Sequence, residues 1–344
     1  PFHLLFEQLR FGKRISMRMK NYGWSAYGFN PYRGGVNRMA QDLLSKPIRF
    51  FYDVSGWDKY LPLMKEIYDF ISKNNGSRDF PPHLKKAWDW TQTHSSSYFM
   101  KLYDGSVYFK DYGNASGSGT TTRDNILCHI ILVAGFLAEA YFNKYGEMPS
   151  DELLNAQIVR LFGDDSIIAV GYEFERVLDE GFLAGYFARF GMKLKFLKGG
   201  ENYPLSDMQF LGFTFGKVGD MYVPIYDTRR LATTMVYDSV NPLSREAFVT
   251  RSFMLFFMSW PSTDHYKFRN AYSQLLSNIQ QRDDLTSTER TFVQMGALPD
   301  RDLVQLYLGT ESFGSEEFFE FLCSSISIDG IFRDSEINSE WRGN

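Results

Sequence analysis

The thirteen residues from Ile158 to Val170 read IVRLFGDDSIIAV. Two apolar runs flank Gly163-Asp164-Asp165, and this pattern predicts a tight hairpin, residues 158–162 and 166–170, with carboxylates at its tip. An acidic hairpin tip is unremarkable on its own. A second run, Ile48 to Val54 (IRFFYDV), is apolar and aromatic and predicts a strand whose carboxyl end delivers Asp53. Two strand ends that each carry an aspartate can bring those side chains together. Carboxylates about 4 Å apart repel by roughly 4 kcal/mol at an effective dielectric of 20, so the pair demands a cation or a shared proton. Hard oxygen donors with open positions suit Mg²⁺ or Mn²⁺, particularly where substrate phosphates complete the shell. Two such ions can activate an attacking hydroxyl and stabilise a departing pyrophosphate.

An independent element lies between the two: Ser116-Gly117, three residues, Thr121, three residues, Asn125. The glycine-bearing loop from Gly113 to Gly119 can approach a ligand closely, and Thr121 and Asn125, four apart, share one face of the helix that follows. Hydroxyl and amide groups on one face can read a ribose hydroxyl. Asp58, five residues after Asp53, is a candidate acceptor for a 2′-OH, although as a solitary surface acid it would be unremarkable.

The remaining pattern is mixed. A helix is expected after Pro62, a Gly-, Pro- and Ser-rich surface section over residues 75–98, and a buried helix over 121–143. A helix from about Glu173 to Arg189 closes at Gly191. Strands follow at Lys193–Leu197, Phe210–Phe215 and Tyr222–Tyr226, and from about Arg229 the chain reads as helical.

With 44% hydrophobic and 17% aromatic residues, the 344-residue chain has ample material for a core. Cys128 and Cys323 stand alone, which excludes a disulfide framework and points to a reducing compartment. The longest apolar stretch, Ile130 to Phe142, is interrupted by Glu139, so the chain reads as soluble without direct membrane insertion. The net charge of −4 argues mildly against a nucleic-acid binder. Its distribution softens that: residues 1–20 carry five bases against Glu7, and residues 311–344 carry eight acids against Arg333 and Arg342. Trp24, Tyr27, Phe29 and Tyr32 are candidates for stacking on bases, with core packing the more ordinary role. His129 reads as a satisfied interior residue rather than a ligand.

Taken together, these blocks resemble, in order and spacing over roughly residues 17 to 275, the RNA-dependent RNA polymerases of positive-strand RNA viruses, closest to the picornavirus-like group with its poty- and astrovirus-like relatives. Motif A corresponds to Asp53-Val-Ser-Gly-Trp-Asp58, motif B to Ser116 through Asn125, and motif C to Gly163-Asp164-Asp165. Phe190-Gly191-Met192 leading to Lys198 is similar to motif D, and Phe210-Leu211-Gly212-Phe213 to motif E. The resemblance implies an α+β right-hand fold, an antiparallel palm sheet with flanking helices, partial fingers and a helical thumb. It divides the chain into partial fingers at 1–46, palm at 47–74, a fingers insertion at 75–112, palm at 113–216 and thumb at 217–344.

By the same resemblance, Asp53 and Asp164 hold two Mg²⁺ or Mn²⁺ ions with Asp165 assisting. Asp58 and Asn125, with Ser116-Gly117 and Thr121, select ribonucleotides, and a motif D lysine protonates pyrophosphate. Of Lys193, Lys195 and Lys198, the reading favours Lys198. The implied partners are an RNA template with its primer or nascent strand, ribonucleoside triphosphates and other viral replication proteins. The implied setting is membrane-associated replication complexes in the host cytoplasm. Motif F, the basic triphosphate clamp, is expected upstream of Pro1. Two competing readings are a reverse transcriptase, which carries a bulky gate where Asp58 stands, and a non-catalytic nucleic-acid-binding module of polymerase-like fold.

Overall fold

β1 (Ile48–Ser55) organises the first half of the molecule because its alternate residues face opposite ways. Ile48, Phe50, Tyr52 and Val54 enter the core, leaving Arg49, Phe51 and Asp53 to the other face. In the computed structural model, which describes residues 23–60, 65–67, 69, 81–111, 113–114, 121–236 and 244–309, this strand pairs on both sides. β4 (Ile158–Phe162), β5 (Asp165–Val170), β1 and β6 (Lys193–Glu201) form one sheet in the order β4-β5-β1-β6, with every pairing antiparallel. Residues 24–26 close the outer edge of β4: Leu161 N–H donates to the Trp24 carbonyl and Ala26 N–H to that of Leu161, each at 2.9 Å.

The helix Thr121–Tyr145 supplies Leu132, Val133, Phe136, Leu137 and Ala140 to the same core. By length and composition alone it is long and apolar enough to cross a membrane, although Glu139 interrupts it. Half of its apolar window is buried inside the protein, so its hydrophobicity belongs to a central core helix. Gly135 lets it approach its neighbour, for a β-carbon there would sit 2.1 Å from the Tyr186 hydroxyl.

The chain divides into two compact units. The first contains residues 1–30 and 38–215 and holds the four-stranded sheet. The second, residues 31–37 and 216–344, has its own core of Phe253, Phe256, Phe257, Tyr272, Phe292 and Tyr307. Its helices include Arg245–Ser259, His265–Gln280, Ser287–Met295 and Asp300–Leu308. Glu289, buried, accepts from Arg245 and completes a capping box with Thr286.

Three expectations change. Residues 82–96, within the stretch expected only as a Gly-, Pro- and Ser-rich surface section, form a helix that starts with Pro82 in its first turn, followed by the hairpin β2 (Tyr98–Lys101) and β3 (Val107–Lys110). The helix expected over 173–189 is a 3₁₀ segment, Tyr172–Leu178, then a separate α-helix, Glu180–Ala188, because the Asp179 carboxylate caps the latter's first N–H groups. Phe210–Phe215 is not one strand. Leu211 and Gly212 both take positive φ, 48° and 77°, as a two-residue hairpin loop requires, and Phe210 pairs directly with Phe213.

Gly199 of β6 faces Phe50 of β1, and a β-carbon there would lie 2.3 Å from Phe50 Cβ and 2.5 Å from the Arg49 carbonyl oxygen. The next residue, Gly200, has open space. Gly199→Ala should therefore destabilise the protein by about 1–3 kcal/mol through overpacking, with Gly200→Ala much milder, as read by denaturant unfolding.

Candidate active site

The hairpin tip owes its shape to Gly163, whose φ of 63° is that of the first loop residue in a type II′ turn, with Phe162 paired to Asp165 across it. Asp164 is the second loop residue. It lines a cavity of about 550 Å³ with Asp53, Val54, Ser55, Gly56, Trp57, Asp58, Lys59 and Lys195. The structure thus brings Asp53, Asp58 and Asp164 to one cleft. Desolvation raises the Asp164 pKa above the usual carboxylate value, and the negative charges of Asp58 and Asp53 add to the effect.

Asp165 opens β5 and is not among the cavity's lining residues. Among the described residues no group of three or more His, Cys, Asp or Glu side chains forms a metal cage. The donor set fits a hard divalent ion of the Mg²⁺ kind, which takes one or two carboxylates and completes its shell with water and phosphate oxygens. Asp53, Asp58 and Asp164 are the carboxylates that line the cleft.

The structure places Lys195 and Lys198 differently with respect to Asp53. In register, Asp53 pairs with Phe196 and Val54 with Leu194, so β6 carries one extra residue, Lys195, at a bulge. Strict alternation would have put Leu194 and Phe196 on one face and Lys195 on the other; instead Leu194 packs against the core and Phe196 against Phe51. The bulge frees it to re-aim, and its ammonium reaches Asp53 Oδ2 at 2.7 Å. Lys198 lies opposite Phe51, two pairs further along, with its ammonium over the Phe196 ring at 5.4 Å. Lys195 could not be chosen from spacing, because three lysines share the run and nothing in the letters marks a bulge.

Asp58 and Asn125, sixty-seven residues apart, are in direct contact: Asn125 Nδ2 donates to Asp58 Oδ1 at 2.7 Å. A residue that sequence reasoning missed, Asn114, stands beside them. Its side-chain amide donates to Asn125 Oδ1 at 2.9 Å and to the Thr121 carbonyl at 3.1 Å, and its backbone N–H donates to the Asp58 carbonyl at 2.8 Å. The signal available was Gly113, which takes a φ of 77° and where a β-carbon would come within 2.6 Å of the Asp58 and Lys59 carbonyl oxygens. Ser116 and Gly117 lie outside the described residues, as do Cys323, Pro62 and the charged segments at 1–20 and 311–344.

His129 is fully buried and joins three elements of the site. The Gly163 carbonyl can only accept, so His129 Nδ1, 3.0 Å away, carries the proton, and Nε2 accepts from the Tyr52 hydroxyl at 2.6 Å. The Trp57 ring packs on it at 4.4 Å between centroids. The aromatic candidates near the N-terminus are also taken up in packing: Tyr27 stacks on Phe162, Phe29 contacts Phe210 and Phe213, and Tyr32 contacts Phe257 and Tyr307.

Residues 4–282 match the family model for viral RNA-dependent RNA polymerase. The chain belongs to that family. It is 22% identical over 258 residues to the non-structural polyprotein 1AB of Turkey astrovirus 2, covering 70% of this chain and 15% of that polyprotein. It is 26% identical over 213 residues to the genome polyprotein of Plum pox potyvirus (isolate NAT), covering 55% of this chain and 6% of the other. Among solved structures, the RNA-dependent RNA polymerase of a human picorbirnavirus superposes with a TM-score of 0.59 at 13% identity, over 85% of this chain and 55% of that one. An insertion-loop deletion mutant of a human picorbirnavirus polymerase gives the same TM-score at 15% identity. These likenesses show the polymerase fold, and the chain spans only a small part of the polyproteins and about half of the solved chains.

Burial lowers the His129 pKa to about 4. An unfolded histidine binds its proton near 6.5, so the unfolded state holds more protons between those values and stability falls as pH drops through this window. The expected loss between pH 7 and 4 is on the order of 3 kcal/mol from this residue. Unfolding titrations of His129→Gln should lack that component of the pH slope.

Proposed function

We propose that this chain carries the catalytic core of template-directed RNA synthesis, joining ribonucleotides to an RNA 3′-hydroxyl with release of pyrophosphate. The observation that carries the proposal is the single cleft lined by Asp53, Asp58, Asp164 and Lys195, with Asp58 hydrogen-bonded to Asn125. Asp53 and Asp164 are assigned to hold two divalent ions, with Asp165, the first residue of β5, assisting. When bound, such ions lower the barrier to in-line attack and offset charge on the departing pyrophosphate.

The protein's own groups divide the remaining work. Asp58 and Asn125 present an acceptor and a donor where a ribose 2′-OH can be distinguished from hydrogen. Lys195, already at the acids, is the proposed proton donor to pyrophosphate, in place of Lys198. A template with its primer or nascent strand, ribonucleoside triphosphates and other viral replication proteins are the proposed partners. Membrane-associated complexes in the host cytoplasm are the proposed setting.

Metal-dependent extension of a primed RNA by the purified chain tests the assignment. Asp164→Asn should lower the rate by at least about 100-fold, the scale set by loss of one charge-stabilising group. Metal-independent RNA binding with no extension by the unmodified chain would favour a binding module instead. Lys195→Ala should slow single-turnover incorporation by about 100-fold while RNA binding holds, the lower range for a general acid. Lys198→Ala should leave that rate near normal; the reverse order would return the role to Lys198.

A further inference from the structure

Asn114 sits two residues before Ser116 and has a side chain almost wholly buried, at 4% exposure. Its hydrogen bonds reach three of the residues assigned to the sugar: the Asp58 backbone, the Thr121 carbonyl and the Asn125 side chain. A carboxamide can present either end to a partner, so the chemistry of Asn125 toward Asp58 depends on what fixes its orientation.

The ends of this chain of amides settle that orientation. The Thr121 carbonyl only accepts, which obliges Asn114 to turn its Nδ2 toward it. The second hydrogen on that nitrogen then goes to Asn125, which must answer with Oδ1. Asn125 Nδ2 is consequently directed at the Asp58 carboxylate, an acceptor at the opposite end. Each amide nitrogen carries two hydrogens, and Asp58 takes one from Asn125. The other is the donor that the reading of Asp58 and Asn125 assigns to a sugar hydroxyl.

We propose that Asn114 is a specificity-positioning residue: it sets the direction of the Asn125 amide and thereby the preference for a ribose over a 2′-deoxyribose. The proposal rests on the reading of Asp58 and Asn125 as the sugar-reading pair. Asn114 acts through Asn125 and is not assigned contact with the substrate. Its replacement by aspartate would put an acceptor against the Thr121 carbonyl and Asn125 Oδ1, so Asn125 would reverse or withdraw. Replacement by alanine would remove the donor that holds Asn125 Oδ1 and leave that amide anchored at its Asp58 end alone, while the backbone N–H to Asp58 is kept.

Equilibrium binding of ATP and 2′-deoxyATP, each with Mg²⁺, to the full 344-residue chain provides the test, with the ratio of the two dissociation constants as readout. Asn114→Ala is expected to reduce the preference for ATP by about 10-fold, equivalent to about 1.4 kcal/mol, and Asn114→Asp at least as much. Asn125→Ala should abolish the preference, and the Asn114→Ala/Asn125→Ala double variant should match Asn125→Ala alone, because the first residue works through the second. Thermal melting accompanies each variant, and Asn114→Ser, which keeps one donor, should recover part of the preference.

An unaltered ratio in folded Asn114→Ala, with Asn125→Ala losing its preference, overturns the role of Asn114 and leaves the sugar-reading pair standing. Equal weakening of both nucleotides by the Asn114 variants, with or without a lowered melting temperature, also overturns it, since that marks a merely structural residue. No preference in the unmodified chain, or one retained by Asn125→Ala, overturns the underlying reading and the proposal with it.

Discussion

Like-charge convergence is the constraint on which the rest of the first unit depends. Asp53, Asp58 and Asp164 direct carboxylates into one cleft, and the raised Asp164 pKa records both the desolvation and the mutual repulsion. At close range in a partly desolvated site such repulsion is worth several kcal/mol, enough to splay side chains on flexible loops. The scaffold resists by delivering two of them from adjacent antiparallel strands. β1 and β5 are directly paired, Asp53 lies toward the end of one, and Asp164 sits in the turn before the other. His129 then ties that turn to the core, since its imidazole spans the Gly163 carbonyl and the Tyr52 hydroxyl on β1.

The bulge at Lys195 answers the same constraint with a different device. An ammonium on Asp53 relieves the charge without a permanent neutralising partner, because both groups stay accessible: 61% exposure for the lysine side chain and 31% for the aspartate. Exposed ion pairs contribute little to stability and exchange readily. That suits a site in which a cation is to take over the carboxylate and the lysine is to meet another anion. Arg245, by comparison, closes on the buried Glu289 in the second unit, where the carboxylate is enclosed and its role is to fix a helix start.

Much of this architecture was legible because its signals are local. The hairpin of 158–170 announces itself by apolar runs around a glycine, and the long helix by a largely apolar run after a polar start. What escaped depends on backbone geometry that spacing does not record. Phe210 to Phe215 reads as a strand until Leu211 and Gly212 both turn to positive φ. Glu173 to Arg189 reads as a helix until Asp179 caps a new one inside it. Lys195 and Lys198 are equivalent letters, separated only by where a strand carries its extra residue. The partners of Asn114 among the described residues lie seven or more positions away, and its role emerges only when Thr121 and Asn125 are folded back upon it.

A division of labour follows from the chemistry of the supports. The groups that set geometry are neutral: an imidazole whose pKa is held near 4, two carboxamides and backbone carbonyls. Neutral supports can be buried at the cost of hydrogen bonds alone, and each of these has its bonds. A buried charge in the same places would need its own counterion and would alter the field in which the acids bind cations. Neutral contacts at these points add no charge of their own to the cleft, while the amides and the imidazole hold the segments that carry Asp58 and Asp164.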